Sequence, residues 1–153
     1  ISSEHGPKGG DEINLIDLKE NLKKNNFGWP ISSYGTHYDV VPINKFTKKY
    51  APLNKSHREF DFKEPIKYFL KAIAPSQIIK NYYSVQNQFI LSTLGKESLY
   101  FLEIDAANNL EVVQVINTGE RIRDIIYDKL TNSYFILQEN TGTPKVVKIS
   151  KME

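Results

Sequence analysis

The sequence contains no cysteine, which excludes disulfides and thiolate metal sites without choosing a cellular compartment. No apolar run approaches the ~20 residues needed to span a bilayer, and no signal-peptide pattern accompanies the opening Ile1-Ser2-Ser3. An excess of one charge is missing as well. Twenty basic residues are interspersed with 18 acidic ones for a net charge of +2, so there is no nucleic-acid footprint and no basic block that reads as a phosphate-binding tail. Arginine is scarce: Arg58, Arg121 and Arg123 are the only three, and every other basic residue is lysine. That bias fits genome composition more than function, and it makes each arginine worth asking about.

What is present is ordinary globular composition. With 153 residues, 40% hydrophobic and 25% charged, the chain is long enough for one domain with a real core, too short for two comfortable ones, and not compatible with wholesale disorder.

The stretch Glu4-His5-Gly6-Pro7-Lys8-Gly9-Gly10-Asp11-Glu12-Ile13-Asn14 organises the rest. Three glycines and a proline in five positions describe a backbone folded tightly on itself. Such a turn can aim main-chain carbonyls at one point while Asp11 and Glu12 add negative charge, a combination suited to a hard cation such as calcium. Taken alone, the same residues also describe a solvent-exposed N-terminal loop.

Beyond it, Leu15, Leu18 and Leu22 fall at helical spacing, whereas Asn14-Leu15-Ile16 reads as a short strand followed by a charged insertion, the reading we favour narrowly. Phe27-Gly28-Trp29-Pro30 breaks the chain, and residues 32–55 show neither period and read as a long loop. Its Tyr34, His37, Tyr38 and Tyr50 are aromatic enough either to cover a pocket or to pack on the surface. From residue 58 the character changes. Phe60-Asp61-Phe62 alternates, residues 66–70 are strand-like, and Ile73-Ala74-Pro75-Ser76 is a turn. Seven strands are then expected over residues 77–83, 88–93, 98–104, 110–117, 121–127, 133–138 and 145–149, separated by turn residues such as Asn108-Asn109, Thr118-Gly119 and Asn140-Thr141-Gly142. Four strands, a loop and three more strands is the rhythm of four-stranded propeller blades. The last blade is one strand short, which reads as a piece of something longer. Sheet faces left bare in this way call for a second copy of the chain or leave the fold marginally stable.

These residues carry a resemblance. His5-Gly6-Pro7-Lys8-Gly9-Gly10-Asp11-Glu12-Ile13-Asn14, Phe27-Gly28-Trp29-Pro30 with Ser33-Tyr34-Gly35, Ile73-Ala74-Pro75-Ser76, Ser98-Leu99-Tyr100 and Gly119-Glu120-Arg121-Ile122-Arg123-Asp124 occur in the order and spacing of the glucose/sorbosone dehydrogenase family. The chain resembles the C-terminal half of these soluble sugar dehydrogenases. The resemblance implies an all-β, six-bladed β-propeller, here as a C-terminal fragment of two to three blades with a long loop. Residues 1–57 would form the calcium turn and long loop, 58–117 a four-stranded blade and 118–153 a partial last blade.

It further implies pyrroloquinoline quinone (PQQ) and calcium as cofactors, an aldose substrate, an external electron acceptor and a periplasmic or otherwise extracytoplasmic location. Gly6 and Pro7 would be calcium ligands through their main-chain oxygens, with Asp11 in support. Arg121 and Arg123 would face the cofactor, since residues two apart on a strand share a face and guanidinium groups pair with the carboxylates of a planar tricarboxylate. A solvated pair beside Glu120 and Asp124 is the plain alternative. Phe69 stands where the family often places a tryptophan over the ring. Lys96 falls one residue after the position of a cofactor-contacting lysine, which Gly95 occupies. The family's catalytic histidine lies in the N-terminal half, and none of His5, His37 and His57 falls at its position. A non-catalytic propeller that has kept the fold and lost the chemistry is the rival reading, with a calcium-stabilised structural domain as a third.

Overall fold

The computed structural model describes residues 1–19, 22–40, 42–140 and 142–150. The chain divides into two compact units, Ile1–Ala72 and Ile73–Glu153, and each is taken by itself.

The first unit is built on a small antiparallel sheet in the order β1 (Ser2–Glu4), β2 (Asp11–Asn14), β3 (Lys67–Phe69). Strand β2 is central, with Glu4 opposite Glu12 on one side and Phe69 opposite Asp11 on the other. All four residues of β2 are buried although three of them are polar. A buried polar side chain must find partners or carry a desolvation penalty, so this strand needs a polar surrounding. Glu64 and His57 provide part of it. His57 is fully buried and lies in a stack with Tyr34 and Tyr68, whose ring centroids are 5.1 and 3.7 Å from their neighbours along the stack. Tyr34 donates its hydroxyl to Glu64 at 2.8 Å, and the same carboxylate accepts the main-chain N–H groups of His57 and Arg58. Burial alone would raise the Glu64 pKa, but these hydrogen bonds outweigh it and hold the group below its ordinary value.

Three local readings of the sequence are corrected in this unit. The strand at 14–16 is placed earlier, as β2, because Glu12 and Ile13 pair with both neighbours while Leu15 and Ile16 lie outside the ladder. Of the charged insertion, Glu20 and Asn21 lie outside the described residues, and Leu22–Asn25 forms a 3-10 turn. Phe60-Asp61-Phe62 is no strand: Arg58–Phe60 is a 3-10 turn closed by Asp61 in the left-handed region at φ 62°, and alternation over three residues is too short to exclude that. Among its described residues the long loop contains one helix, α1 (Lys45–Tyr50). The Asn44 side chain caps it by accepting the N–H groups of Phe46 and Thr47, and Thr47 returns a bond to the Asn44 N–H. Six residues are too few to display a period, so only the cap could have announced this helix.

In the second unit the expected strand rhythm is present. Strands β4 (Pro75–Lys80), β5 (Gln88–Thr93), β6 (Ser98–Ile104) and β7 (Leu110–Asn117) form a four-stranded antiparallel meander. Strands β8 (Arg121–Asp128), β9 (Ser133–Asn140) and β10 (Thr143–Ser150) form a three-stranded one. Of the turn expected at 140–142, Thr141 lies outside the described residues. Each successive strand pairs with the one before it because the connections are short and polar. The two sheets meet through β8, which packs on β4 and β5, over a core of Ile90, Leu99, Ile122, Ile125, Tyr134 and Ile136. The Tyr134 hydroxyl donates to Lys80 O at 3.0 Å and accepts the Tyr82 N–H, tying β9 to the end of β4. A bulge between Ile122 and Asp124 brings Ile122 and Ile125, three positions apart, onto the same buried face.

Replacing Ile122, which is fully buried, by alanine should cost about 2–5 kcal/mol of stability. The same change at the exposed Ile126 should cost within about 0.5 kcal/mol. Urea denaturation followed by tyrosine fluorescence distinguishes the two. The lowered pKa of Glu64 has a defined sign: its stabilisation is present above the ordinary carboxylate value of 4.5 and is lost as the pH falls through the depressed folded value. The melting temperature of the first unit, read by Trp29 fluorescence, should therefore fall on acidification below that value, and Glu64→Gln should flatten the fall.

Candidate functional site

The turn between β1 and β2 is shaped by close backbone passages. Gly9 and Gly10 have φ of 75° and 71°, a region that side chains enter at a cost. A Cβ on Gly10 would lie 1.9 Å from Gly35 N, and one on Gly35 would lie 2.3 Å from Gly9 O. The turn and the segment Ser33-Tyr34-Gly35 are therefore pressed backbone to backbone, with a bridge between Lys8 and Thr36 continuing the contact. This explains why the Gly-Gly pair and the distant Ser-Tyr-Gly occur together in one sequence.

Asp11 closes the turn. Its buried carboxylate accepts the Gly6 N–H at 2.9 Å, and the Gly10 N–H donates to Phe69 O at 2.8 Å. Gly6, Pro7, Asp11 and Phe69 are thus brought together within the first unit. Among the described residues, the main-chain oxygens of Gly6 and Pro7 accept no hydrogen bond. A cavity of about 280 Å³ opens beside the turn, lined by Glu4, His5, Gly6, Gly10 and Glu12 with Trp29 at its edge. Burial, followed by the neighbouring Glu4 charge, pushes the Glu12 carboxyl up to about 7. His57 Nε2 lies 3.4 Å from Glu12 Oε1. That neighbour was not legible from sequence, since 45 residues separate the two.

The donor chemistry here fits a hard cation: two uncommitted carbonyl oxygens held by a carboxylate-clasped turn. No group of three or more His, Asp or Glu side chains suited to a metal ion occurs among the described residues, so any cation at the turn would rely on main-chain oxygens.

Arg121, Arg123 and Lys96 belong to the second unit. Arg121 and Arg123 are exposed and flank the fully buried Ile122. Both act on Glu139 of β9: Arg121 sits opposite it in register, and Arg123 Nε donates to its carboxylate. Hydrogen bonding to Arg123 leads the causes that hold the Glu139 pKa below its ordinary value, and the Arg121 charge adds to it. The sequence pointed instead to Glu120 and Asp124 as acidic neighbours. Glu120 pairs with Lys145, and Asp124 accepts the Ile125 N–H at 2.8 Å. Cross-strand partners follow from register, which the sequence does not display. Lys96 lies in the turn between β5 and β6, and its main-chain oxygen accepts the Ser98 hydroxyl. The alternation of strand faces therefore does not govern where it points. Gly95 donates its N–H to Ile73 O at 3.0 Å.

Comparison with known proteins bears on family and fold. The sequence profile of the Glucose / Sorbosone dehydrogenase family matches residues 1–148. YliI of Escherichia coli, an aldose sugar dehydrogenase by name, is 24% identical over 153 residues, 97% of this chain and 37% of its own. The uncharacterised slr1608 of Synechocystis is 26% identical over 145 residues, 92% of this chain and 32% of its own. The crystal structure of the soluble aldose sugar dehydrogenase from Escherichia coli in its apo form matches with a TM-score of 0.71 at 22% identity, over 97% of this chain and 40% of that one. A glucose dehydrogenase crystal structure matches equally, at 0.71 and 23% identity, over 98% of this chain and 40% of that one. At such identities the structural likeness speaks for fold alone, and the fold class is the one read from the sequence, an all-β segment of propeller type. The chain spans only about a third of the length of these curated relatives. With the family profile matched along nearly its whole length, the chain belongs to the glucose/sorbosone dehydrogenase family.

Proposed function

We propose that this chain is part of a PQQ- and calcium-dependent dehydrogenase, its C-terminal portion by the order of the motifs, that oxidises an aldose at the anomeric carbon to a lactone. The observation that carries the reading is the clasped turn: Asp11 holds the Gly6 N–H while the Gly6 and Pro7 oxygens stay uncommitted, in a chain of this family. The proposal includes an external electron acceptor, a periplasmic or otherwise extracytoplasmic setting, and a homodimer. Support for the dimer comes from an apolar hollow of about 170 Å³ on the outer face of β8–β10, lined by Ile126, Phe135, Leu137 and Val146.

When bound, the quinone would supply the hydride acceptor and calcium a Lewis acid beside it. The rest is work for this chain's own residues. Gly6 and Pro7 would contribute two of the six to eight oxygens that calcium takes, and Asp11 would fix their direction without spending its carboxylate on the ion. Arg121 and Arg123 would meet cofactor carboxylates, exchanging the shared Glu139 for a stronger anion. Phe69, directly across the ladder from Asp11, would cover the ring from the same element that receives the Gly10 N–H. Lys96 would add a positive charge from the β5–β6 turn. We assign no catalytic base: His57 is sealed beside Glu12, and by the resemblance neither His5 nor His37 falls at the position where the family places its base.

A second reading, a non-catalytic propeller segment, draws on the Arg123–Glu139 pair and on glycine at position 95. Three measurements test the proposal. In the full-length parent, Arg121→Ala and Arg123→Ala should each weaken PQQ binding by about tenfold or more in the presence of calcium; unchanged affinity would remove the arginines from the site. Calcium should raise the melting temperature of the 153-residue chain, and Asp11→Ala should abolish that rise. Given PQQ, calcium and an aldose, the 153-residue chain alone should reduce no dye, whereas turnover would place the base within it.

A further inference from the structure

The segment around α1 is not used by any of this, and its chemistry is unusual for a surface loop. Helix α1 has no buried residue. Its Phe46 and Tyr50, four positions apart and therefore on one face, pack on each other at 4.6 Å between ring centroids and are 69% and 51% exposed. Val40 and Ile43, which lead into the helix, are 89% and 65% exposed. Lys45 and Lys48, three positions apart, lie on the other side of the helix, and Lys49 flanks the aromatic pair. No acidic residue occurs in the first turn. Across residues 37–55 the only carboxylate among four lysines is Asp39, and Lys8 already holds it at 2.7 Å. The Lys49 ammonium lies over the Tyr50 ring, 4.9 Å from its centroid.

We propose that this segment docks the protein on an anionic bilayer surface. Phe46, Tyr50, Ile43 and Val40 would enter the headgroup region, and Lys45, Lys48 and Lys49 would meet the phosphates. Amphipathic character combined with basic flanks is what interfacial binding requires, and aromatic side chains favour the headgroup level. The charge is complementary to acidic lipid and to nothing within the segment itself. Scale favours lipid over a protein partner: a stable protein interface takes roughly 20–30 residues a side, whereas reversible interfacial binding grows with each apolar side chain buried and each cation set against anionic lipid. No helix among the described residues is long and apolar enough to cross a membrane, so the contact is peripheral. This inference is independent of the cofactor chemistry proposed above.

The test is co-sedimentation of the 153-residue chain with vesicles of equimolar phosphatidylglycerol and phosphatidylcholine, against phosphatidylcholine alone. Binding to the anionic vesicles only, released by high salt, is expected. The combined change Lys45→Glu, Lys48→Glu, Lys49→Glu should weaken it by about a hundredfold or more, and Ile43→Ser with Phe46→Ser by about tenfold or more. Because α1 buries nothing, circular dichroism and melting temperature should stay at the wild-type values in both variants. Absence of binding to anionic vesicles would overturn the proposal, as would binding that neither variant alters. Self-association abolished by Ile43→Ser with Phe46→Ser, without vesicle binding, would assign the face to a second copy instead.

Discussion

The first unit depends on one steric constraint, the backbone contact between the Gly9-Gly10 turn and Gly35. Nothing larger than hydrogen fits at Gly10 or Gly35, so two segments far apart in sequence are held at main-chain distance. From that contact follows the entry of β2 into the centre of its sheet, with Asp11 turned back on Gly6 and the Gly10 N–H aimed at Phe69. A turn held by carboxylate and glycine is stiff. Held in this way, the Gly6 and Pro7 oxygens have no donor among the described residues.

The cost of this arrangement is a polar interior. Strand β2 buries Asp11, Glu12 and Asn14 in place of an apolar stripe. The surroundings answer with hydrogen bonds and with aromatic rings: Asn14 donates to Glu4 at 3.0 Å, Glu64 gathers three donors, and Tyr34 lies flat between His57 and Tyr68. The second unit is organised on the opposite principle. Its β-branched and aromatic residues pack into a shared apolar core, and charged groups such as the cross-strand pair Arg123 with Glu139 lie outside.

That contrast explains what the sequence revealed. Strands β4 to β10 were legible because each is a short segment rich in β-branched and aromatic residues bounded by turn residues, and because sequential pairing leaves little choice of topology. The glycine-rich turn was legible as a turn, but its packing partner at Gly35 was visible only as a recurring family motif. The cap on α1, the 3-10 turn at Arg58–Phe60 and the pairing of β3 with β2 across more than fifty residues were not legible. They rest on single side-chain bonds or on long-range contacts that leave no period. For the candidate site, residue types pointed to a turn suited to a cation and the family resemblance named Gly6, Pro7, Asp11 and the arginine pair, whereas Glu139 as the carboxylate between the arginines and His57 beside Glu12 required the register and the fold.

The central claim is that backbone pressure between the turn and Gly35 prepares the Gly6 and Pro7 oxygens for a cation. Calorimetric titration of calcium into wild-type protein and into Gly35→Ala, with the far-ultraviolet circular dichroism of both recorded, tests it most directly. The account predicts that wild type binds calcium while Gly35→Ala, with the β4–β10 strands intact, does not. Calcium binding of equal affinity in Gly35→Ala would contradict it.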